Sequence, residues 1–318
     1  MVTHTKGPAC SIVIRCCNEE RHIGKLLSGV MAQSVKDVEI ILVDSGSTDA
    51  TLSIAARYPV KVVRISPEEF SFGHSLNIGC SHASAELIVV ASAHVYPSYK
   101  DWLEHLLVPF QDSEVALVYG KQRGAASSWY AEHQIYRKWF PDHSIPEQGH
   151  PFCNNANAAI RRSLWAQFPY NRELTGLEDL DWAKRLFDSG RKIVYSADAE
   201  IIHVHEETPR QIYNRYRREA IAFKRIYPDK GFSLIDFLVL LSANTFSDCC
   251  QAWHDRRLFK EFWGIMLFRL MQFWGTFLGY RFKGFVPREL ASRFYYPNGL
   301  APKRGDTTDG QERLIRYE

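Results

Sequence analysis

The stretch SIVIRCCNEERHIGKLLSGVMAQSVKDVEIILVDSGSTD, residues 11–49, decides the fold. Ser11–Cys16 is an apolar run without polar alternation, and Glu20–Gln33 places Ile23, Leu26, Leu27 and Val30 at helical spacing. Val38–Val43 is a second apolar run, and a turn of small polar residues, Asp44–Asp49, follows it directly. A helix then runs through Ala56, short strands fall at Lys61–Ile65 and Leu87–Ala91, and a helix lies between them around Ser75–Ala83. Helix Lys100–Phe110 and strand Val115–Tyr119 complete the series. Strands separated by helices imply right-handed crossovers and a largely parallel sheet covered on both faces. Apolar strands that do not alternate agree with burial from both sides.

After Gly120 the rhythm breaks. Residues 121–152 are rich in Gln, His, Ser, Pro and aromatics and read as a long loop or short helix over a site. Structure resumes at strand Asn157–Arg161, helix Leu180–Ser189 and strands Lys192–Tyr195 and Glu200–Val204. From Pro209 the chain is helical, basic and aromatic to about Gly284, and it ends in a polar tail.

The 318 residues are 46% hydrophobic and 24% charged, an ordinary globular composition that excludes a disordered chain. The net charge of +3 is divided unevenly. Residues 1–208 carry 20 basic and 25 acidic side chains, and residues 209–293 carry 15 and 7. Three parts are expected: 1–208, 209–298 and a tail 299–318. The basic region accompanies no nucleic-acid reader motif, so no nucleic-acid partner is expected. The seven cysteines are odd in number and form no C-x-x-C, which fits a reducing compartment better than a disulfide framework. The amino terminus lacks a signal-peptide pattern, and the apolar runs Phe237–Ser247 and Leu270–Tyr280 are too short to cross a bilayer. A cytoplasmic location is expected, peripheral on the inner face of the membrane. In Leu258–Phe282, Trp and Phe stand beside Lys260, Arg269 and Arg281. That mixture suits a membrane-surface helix, a homodimer seam, or packing on the main domain.

In an open α/β sheet ligands bind beyond the carboxyl ends of the strands. That rule selects Arg15–Glu20, Asp44–Asp49, Ser92–Tyr96 and the segment around Glu178–Asp181. No G-x-G-x-x-G follows the first strand and no G-x-x-x-x-G-K-[ST] occurs, so the usual glycine-rich phosphate cradles are absent. Carboxylates at strand ends can instead accept from a base imide or ribose hydroxyls. Glu19, Glu20 and Asp49 can equally cap helices.

These segments resemble family 2 glycosyltransferases. SIVIRCCNEERHIGKLLSGVMAQ, VEIILVDSGSTDAT and FSFGHSLNIGCSHASAELIVVASAHVYP look like the nucleotide-binding half. NNANAAIRRSLW, GLEDLDWAKRL and AEIIHVHEE look like the acceptor half. The resemblance covers roughly residues 9–226 and is nearest to rhamnosyltransferase-like members of bacterial surface-polysaccharide assembly. It implies the A-type glycosyltransferase fold with a helical C-terminal extension and a nucleotide-sugar donor. It also implies inversion by direct displacement onto a lipid-linked surface glycan. Donor contacts fall on Arg15, Asn18, Glu19, Asp44, Ser45, Gly73, Asn77 and His94. Asp179 becomes the general base, with Glu178 beside it, and Asn155 and Asp181 face the acceptor.

The family's Asp-x-Asp, which binds a divalent cation, is here Ser92-Ala93-His94. Hard Mg²⁺ loses its oxygen ligands there, whereas imidazole can hold Mn²⁺ or a softer ion. His94 with His205 is one expected metal set. Direct phosphate neutralisation by His94, Arg15 or Arg123 is the alternative, and an inactive nucleotide- or glycan-binding scaffold is another. Trp129, Tyr130, Tyr136, Trp139 and Phe140 either stack on sugars or pack as core.

Overall fold

A computed structural model describes residues 7–284 and 286–295; the expected tail 299–318 lies outside the described residues. The chain runs β1 (Cys10–Cys16), α1 (Ile23–Met31), β2 (Val38–Asp44), α2 (Thr51–Ala55), β3 (Val60–Arg64), α3 (Phe72–Ser81) and β4 (Leu87–Ser92). Next come β5 (Val95–Pro97), α4 (Trp102–Leu107), β6 (Val115–Gly124), α5 (Tyr130–Trp139), β7 (Asn157–Arg161) and α6 (Arg162–Gln167). After α7 (Glu178–Asp188) and β8 (Lys192–His203) the rest is helical: α8 (Pro209–Ile226), α9 (Leu234–His254), α10 (Leu258–Arg281) and α11 (Arg288–Tyr295).

One sheet has the order β3-β2-β1-β4-β7-β6-β8-β5. Ile12, Ile14 and Leu42 pack with Leu26, Leu27, Trp102 and Leu106 on one face. Val13, Ile41 and Val43 pack with Leu76, Cys80, Trp182 and Leu186 on the other. Burial on both faces is the reason these strands read as unbroken apolar runs.

Four of the seven strand pairings among the described residues are parallel, in line with the expectation, and antiparallel ones enter with β7 and β5. β1, β2, β3 and β4 are parallel, but β7 runs antiparallel to both β4 and β6, and β5 antiparallel to β8. Apolar periodicity identifies a strand without giving its direction. Two expectations change. The strand from Val115 continues to Gly124, and Tyr130–Trp139 is a helix, so residues 121–152 are not one loop. The two expected strands after Gly190 are a single strand, β8, whose pairing with β6 shifts register between Gly120 and Gln122. Polar residues at that irregularity hide the continuity.

α8 begins with Thr208 in a reciprocal capping box with Gln211, and Pro209 stands in its first turn. Ser233 and Asp236 do the same for α9. α10 lies so close to α8 that a Cβ on Gly275 would sit 2.5 Å from Tyr213 O, and one on Gly279 2.6 Å from Arg217 O. α9 is clamped to α10 by Arg269, which donates Nε–H and an Nη2 hydrogen to the two oxygens of Asp248 at 2.7 and 3.0 Å. Both side chains are only 4% exposed. Removing one partner strands the other charge, so Arg269→Leu is expected to lower stability by about 3–5 kcal/mol. Replacing Asp248 and Arg269 together by apolar residues should return most of that loss, and urea midpoints decide both. Among the described residues no helix is long and apolar enough to cross a membrane.

Candidate active site

The site lies beyond the carboxyl ends of β1, β2 and β4, closed by the start of α7 and the end of β8. Two non-glycine residues in left-handed backbone flank it. Asn18 (φ 56°) lies just after β1, and Leu177 (φ 55°) precedes α7. For leucine that conformation is strained, and it turns Glu178 and Asp179 into the first turn of α7.

Glu178 is buried and accepts from Arg15 Nη1 at 3.1 Å. The Arg15 guanidinium also stands 4.8 Å from the Phe72 ring centre, and Arg218 of α8 stands 4.7 Å from the same ring. Asp179 accepts from the backbone N–H of Asn155 (3.1 Å) and from its neighbour Leu180 (2.8 Å). Burial first, and the adjacent Glu178 charge second, raise its pKa to about 7 against the two hydrogen bonds. Asn155 is 3% exposed, and its buried side-chain Nδ2 has no partner among the described residues.

On the opposite side three imidazoles converge. His94, His203 and His205 offer nitrogen atoms within 4.8 Å of one another. The His94 and His203 rings stack at 5.1 Å, and His203 and His205 lie 4.1 Å apart. Each ring has its Nδ1 against an acceptor: Glu19 Oε1 for His94 (2.9 Å), Gln122 Oε1 for His203 (2.8 Å) and Glu132 Oε1 for His205 (2.7 Å). Those partners hold the proton on Nδ1 and leave a lone pair on Nε2. Nε2 of His203 is buried and has no partner among the described residues. Burial, then the neighbouring His205 and His94, push the His203 pKa well below the usual histidine range. Burial also pulls on His94, but the charge and hydrogen bond of Glu19 outweigh it and leave that pKa raised. Glu132 is held down to about 2 because Arg215 and His205 overcome its burial.

A divalent cation is implied by the family, and these residues fit one. A buried ring nitrogen without a partner, beside two others whose tautomers are set by acceptors, is a ligand set with its supporting shell already in place. His203, Gln122 and Glu132 were not among the expected site residues, and Glu19 was expected as a donor contact instead of a support for His94. The His-x-His spacing on β8 was the only signal available for His203.

Several expected donor contacts have other work. Glu19 orients His94, so its carboxylate faces the imidazole. Asn18 accepts from Thr48 N–H (2.8 Å) and ties the β1 and β2 loops together. Asp44 is 2% exposed and accepts from the backbone of Gly46 and Ser47 (3.3 and 3.2 Å), while Ser45 donates to Cys16 O. A buried carboxylate at a tight turn satisfies its own loop before any ligand. Asn77 bridges to Tyr170 O, Tyr170 N and Trp165 Nε1 at 2.8–2.9 Å, so it latches α3 to the segment after α6 instead of facing the donor. A Cβ on Gly73 would lie 2.2 Å from Asn171 O, which gives that glycine a packing reason. Asp181 accepts from Arg185 one turn on and points away from Asp179. Arg123 pairs with Asp142 (2.6 Å) and is not aimed at the histidines. Tyr130, Tyr136 and Phe140 are buried as core, Trp129 packs on Phe268, and Trp139 stacks on Phe152 while remaining partly exposed.

The model of Glycosyl transferase family 2 matches residues 11–168. An O-antigen chain rhamnosyltransferase of Salmonella anatum is 32% identical over 200 residues, 58% of this chain and 62% of that protein. A second, of Salmonella typhimurium, is 26% identical over 206 residues, 60% and 65%. The matched region thus spans less than two thirds of either relative. Among solved structures, a mannosyltransferase from Pyrobaculum calidifontis in complex with GDP-Man and Mn²⁺ superposes with a TM-score of 0.59 at 18% identity, over 93% of this chain and 89% of that one. S. aureus TarS in complex with UDP-GlcNAc gives 0.54 at 17%, over 83% and 90%. At such identities the likeness concerns the fold, an A-type glycosyltransferase sheet with helices after it. Residues 11–168, the part of the chain that starts at β1, thus form a glycosyl transferase family 2 domain.

Proposed function

We propose that the chain is an inverting glycosyltransferase that moves a sugar from a nucleotide-sugar donor to a surface-glycan acceptor carried on a lipid. The observation that carries this reading is Asp179, a carboxylate with a pKa raised to about 7 beside Arg15, Glu178 and the unpartnered amide of Asn155. The acceptor hydroxyl oxygen attacks the anomeric carbon as the bond to the diphosphate breaks. Asp179 takes the hydroxyl proton, and the nucleoside diphosphate leaves with the bonding pair. Arg15 supplies positive charge near the diphosphate, Asn155 holds the acceptor through Nδ2, and Glu178 holds Arg15. The loops 16–20 and 44–49 form the nucleotide platform, mostly through backbone groups, since Asp44 is engaged by its own loop and Asn18 by Thr48 of that same loop. Residues 1–208 are taken as this catalytic part and the helices after Pro209 as its buttress.

His94, His203 and His205 would hold the cation, which when bound would supply positive charge to the leaving diphosphate. Three neutral nitrogen ligands suit zinc-class transition ions better than Mg²⁺. His205 is shared between this set and Glu132, which Arg215 also contacts at 2.7 Å.

Calorimetric titration with UDP, GDP and dTDP, in EDTA and again with Mn²⁺ or Zn²⁺, tests the reading. Binding of one diphosphate that strengthens with metal is the expected result. Equal binding in EDTA would leave Arg15 to neutralise the diphosphate without a metal. Absence of binding under every condition would overturn the enzyme in favour of a scaffold.

A further inference from the structure

Helix α9 is apolar around most of its circumference, yet only one side is covered by α10. Ile235, Val239, Phe246 and Trp253 are 58–72% exposed. Their spacings of four, seven and seven residues put them within roughly 40° of one another on a stripe about 27 Å long. Beyond the α9–α10 turn, Phe259 (92% exposed) and Trp263 (77%), four residues apart on α10, are exposed as well. An apolar stripe of this length left exposed on a folded chain marks an interaction site.

The charges at the turn identify what covers it. Arg256, Arg257 and Lys260 are exposed there, and Arg137 of α5 reaches the same end, 3.9 Å from Asp255. The nearby carboxylates are already engaged. Asp255 accepts from Tyr130 Oη at 2.7 Å, and Glu261 from Arg257 at 2.8 Å. The turn therefore presents tryptophan, phenylalanine and net positive charge together. A second copy packed through this face about a two-fold axis would bring like charges against each other. Anionic headgroups over an acyl layer complement both features at once.

We propose that the α9–α10 hairpin docks flat on an anionic bilayer surface, with Phe259 and Trp263 at headgroup depth and Arg256 and Lys260 on the phosphates. The Arg269–Asp248 clamp and the close α8–α10 contact hold the hairpin rigid. Trp129, which packs on Phe268 of α10, donates Nε1–H to Glu207 O at 2.8 Å, two residues beyond His205. A docked hairpin thus stands next to the segment that carries the histidines, where a membrane-borne acceptor would arrive. The surface stands on its own observations, and its test uses neither donor nor acceptor.

The test is co-sedimentation of the full chain with vesicles of phosphatidylethanolamine and phosphatidylglycerol, compared with phosphatidylcholine alone. Binding to the anionic vesicles, weakened by salt and accompanied by a blue shift of tryptophan fluorescence, is expected. Arg256→Glu with Lys260→Glu should lower vesicle affinity by about tenfold or more. Phe259→Ser with Trp263→Ser should remove the binding. All four positions are exposed, so nucleotide binding and the unfolding midpoint should not move. No sedimentation, or sedimentation indifferent to both double variants, would overturn the proposal. Light scattering that finds a dimer abolished by Phe259→Ser with Trp263→Ser, without vesicle binding, would overturn it in favour of a second copy.

Discussion

Asp179→Asn is expected to lower turnover by about 10²–10⁴, the usual contribution of a positioned general base, with nucleotide affinity retained. Asparagine keeps the shape and can still accept from Asn155 N–H, but it cannot take a proton. In the wild type the rate should rise with pH and level off above about 7, since only ionised Asp179 accepts the hydroxyl proton. The same substitution should act on stability in the opposite sense. A carboxyl whose pKa is raised in the folded state favours folding below its ordinary range, near 4, and weakens it progressively as pH climbs to about 7. Asp179→Asn removes that penalty, so the variant should be more stable than wild type at pH 8 and no more stable at pH 4. Urea midpoints at the two pH values check the sign. Turnover within threefold of wild type would remove Asp179 from the role, and Glu178, paired with Arg15, would be the next carboxylate to test.

His203→Ala should abolish specific Co²⁺ or Zn²⁺ binding, because it deletes the central ring of the three. Gln122→Leu should keep the ligand and lose its orientation, at a cost of about 10–100-fold in metal affinity. The visible spectrum of the Co²⁺ form reads the site directly, without turnover. Four-coordinate, nitrogen-rich cobalt absorbs strongly and six-coordinate oxygen-bound cobalt weakly, so the spectrum also separates an imidazole site from incidental carboxylate binding. Mg²⁺ should compete poorly. A wild-type protein that holds no transition ion after dialysis would leave the histidines as a packed cluster, with Arg15 as the cation facing the diphosphate.

Residues 11–49 made the first βαβ unit legible because a strand buried on both faces must be apolar throughout, and an amphipathic helix must repeat at its own period. The alternation carries no direction, so the antiparallel β7 stayed hidden. The polar residues of β6 and β8 at their irregular pairing concealed two long strands. The site divided in the same way. Arg15, Glu178, Asp179 and His94 stand where the sequence places them, at strand ends or a helix start, and the structure pairs Arg15 with Glu178. The work of Asp44, Asn77 and Asp181 was not, because a short polar side chain at a turn can serve its own backbone or a ligand with equal chemistry.

By itself the sequence determined the alternating strands and helices of its first part, the resemblance of that part to the family, and the replacement of Asp-x-Asp by Ser92-Ala93-His94. All three follow from local composition and spacing. Only the tertiary structure decided that Glu19, Gln122 and Glu132, from three separate segments, each stand behind a different histidine. It also decided that the apolar side of α9 is left uncovered by the described residues. Both depend on contacts between residues far apart in the chain, and neither period nor spacing encodes which distant side chains will meet.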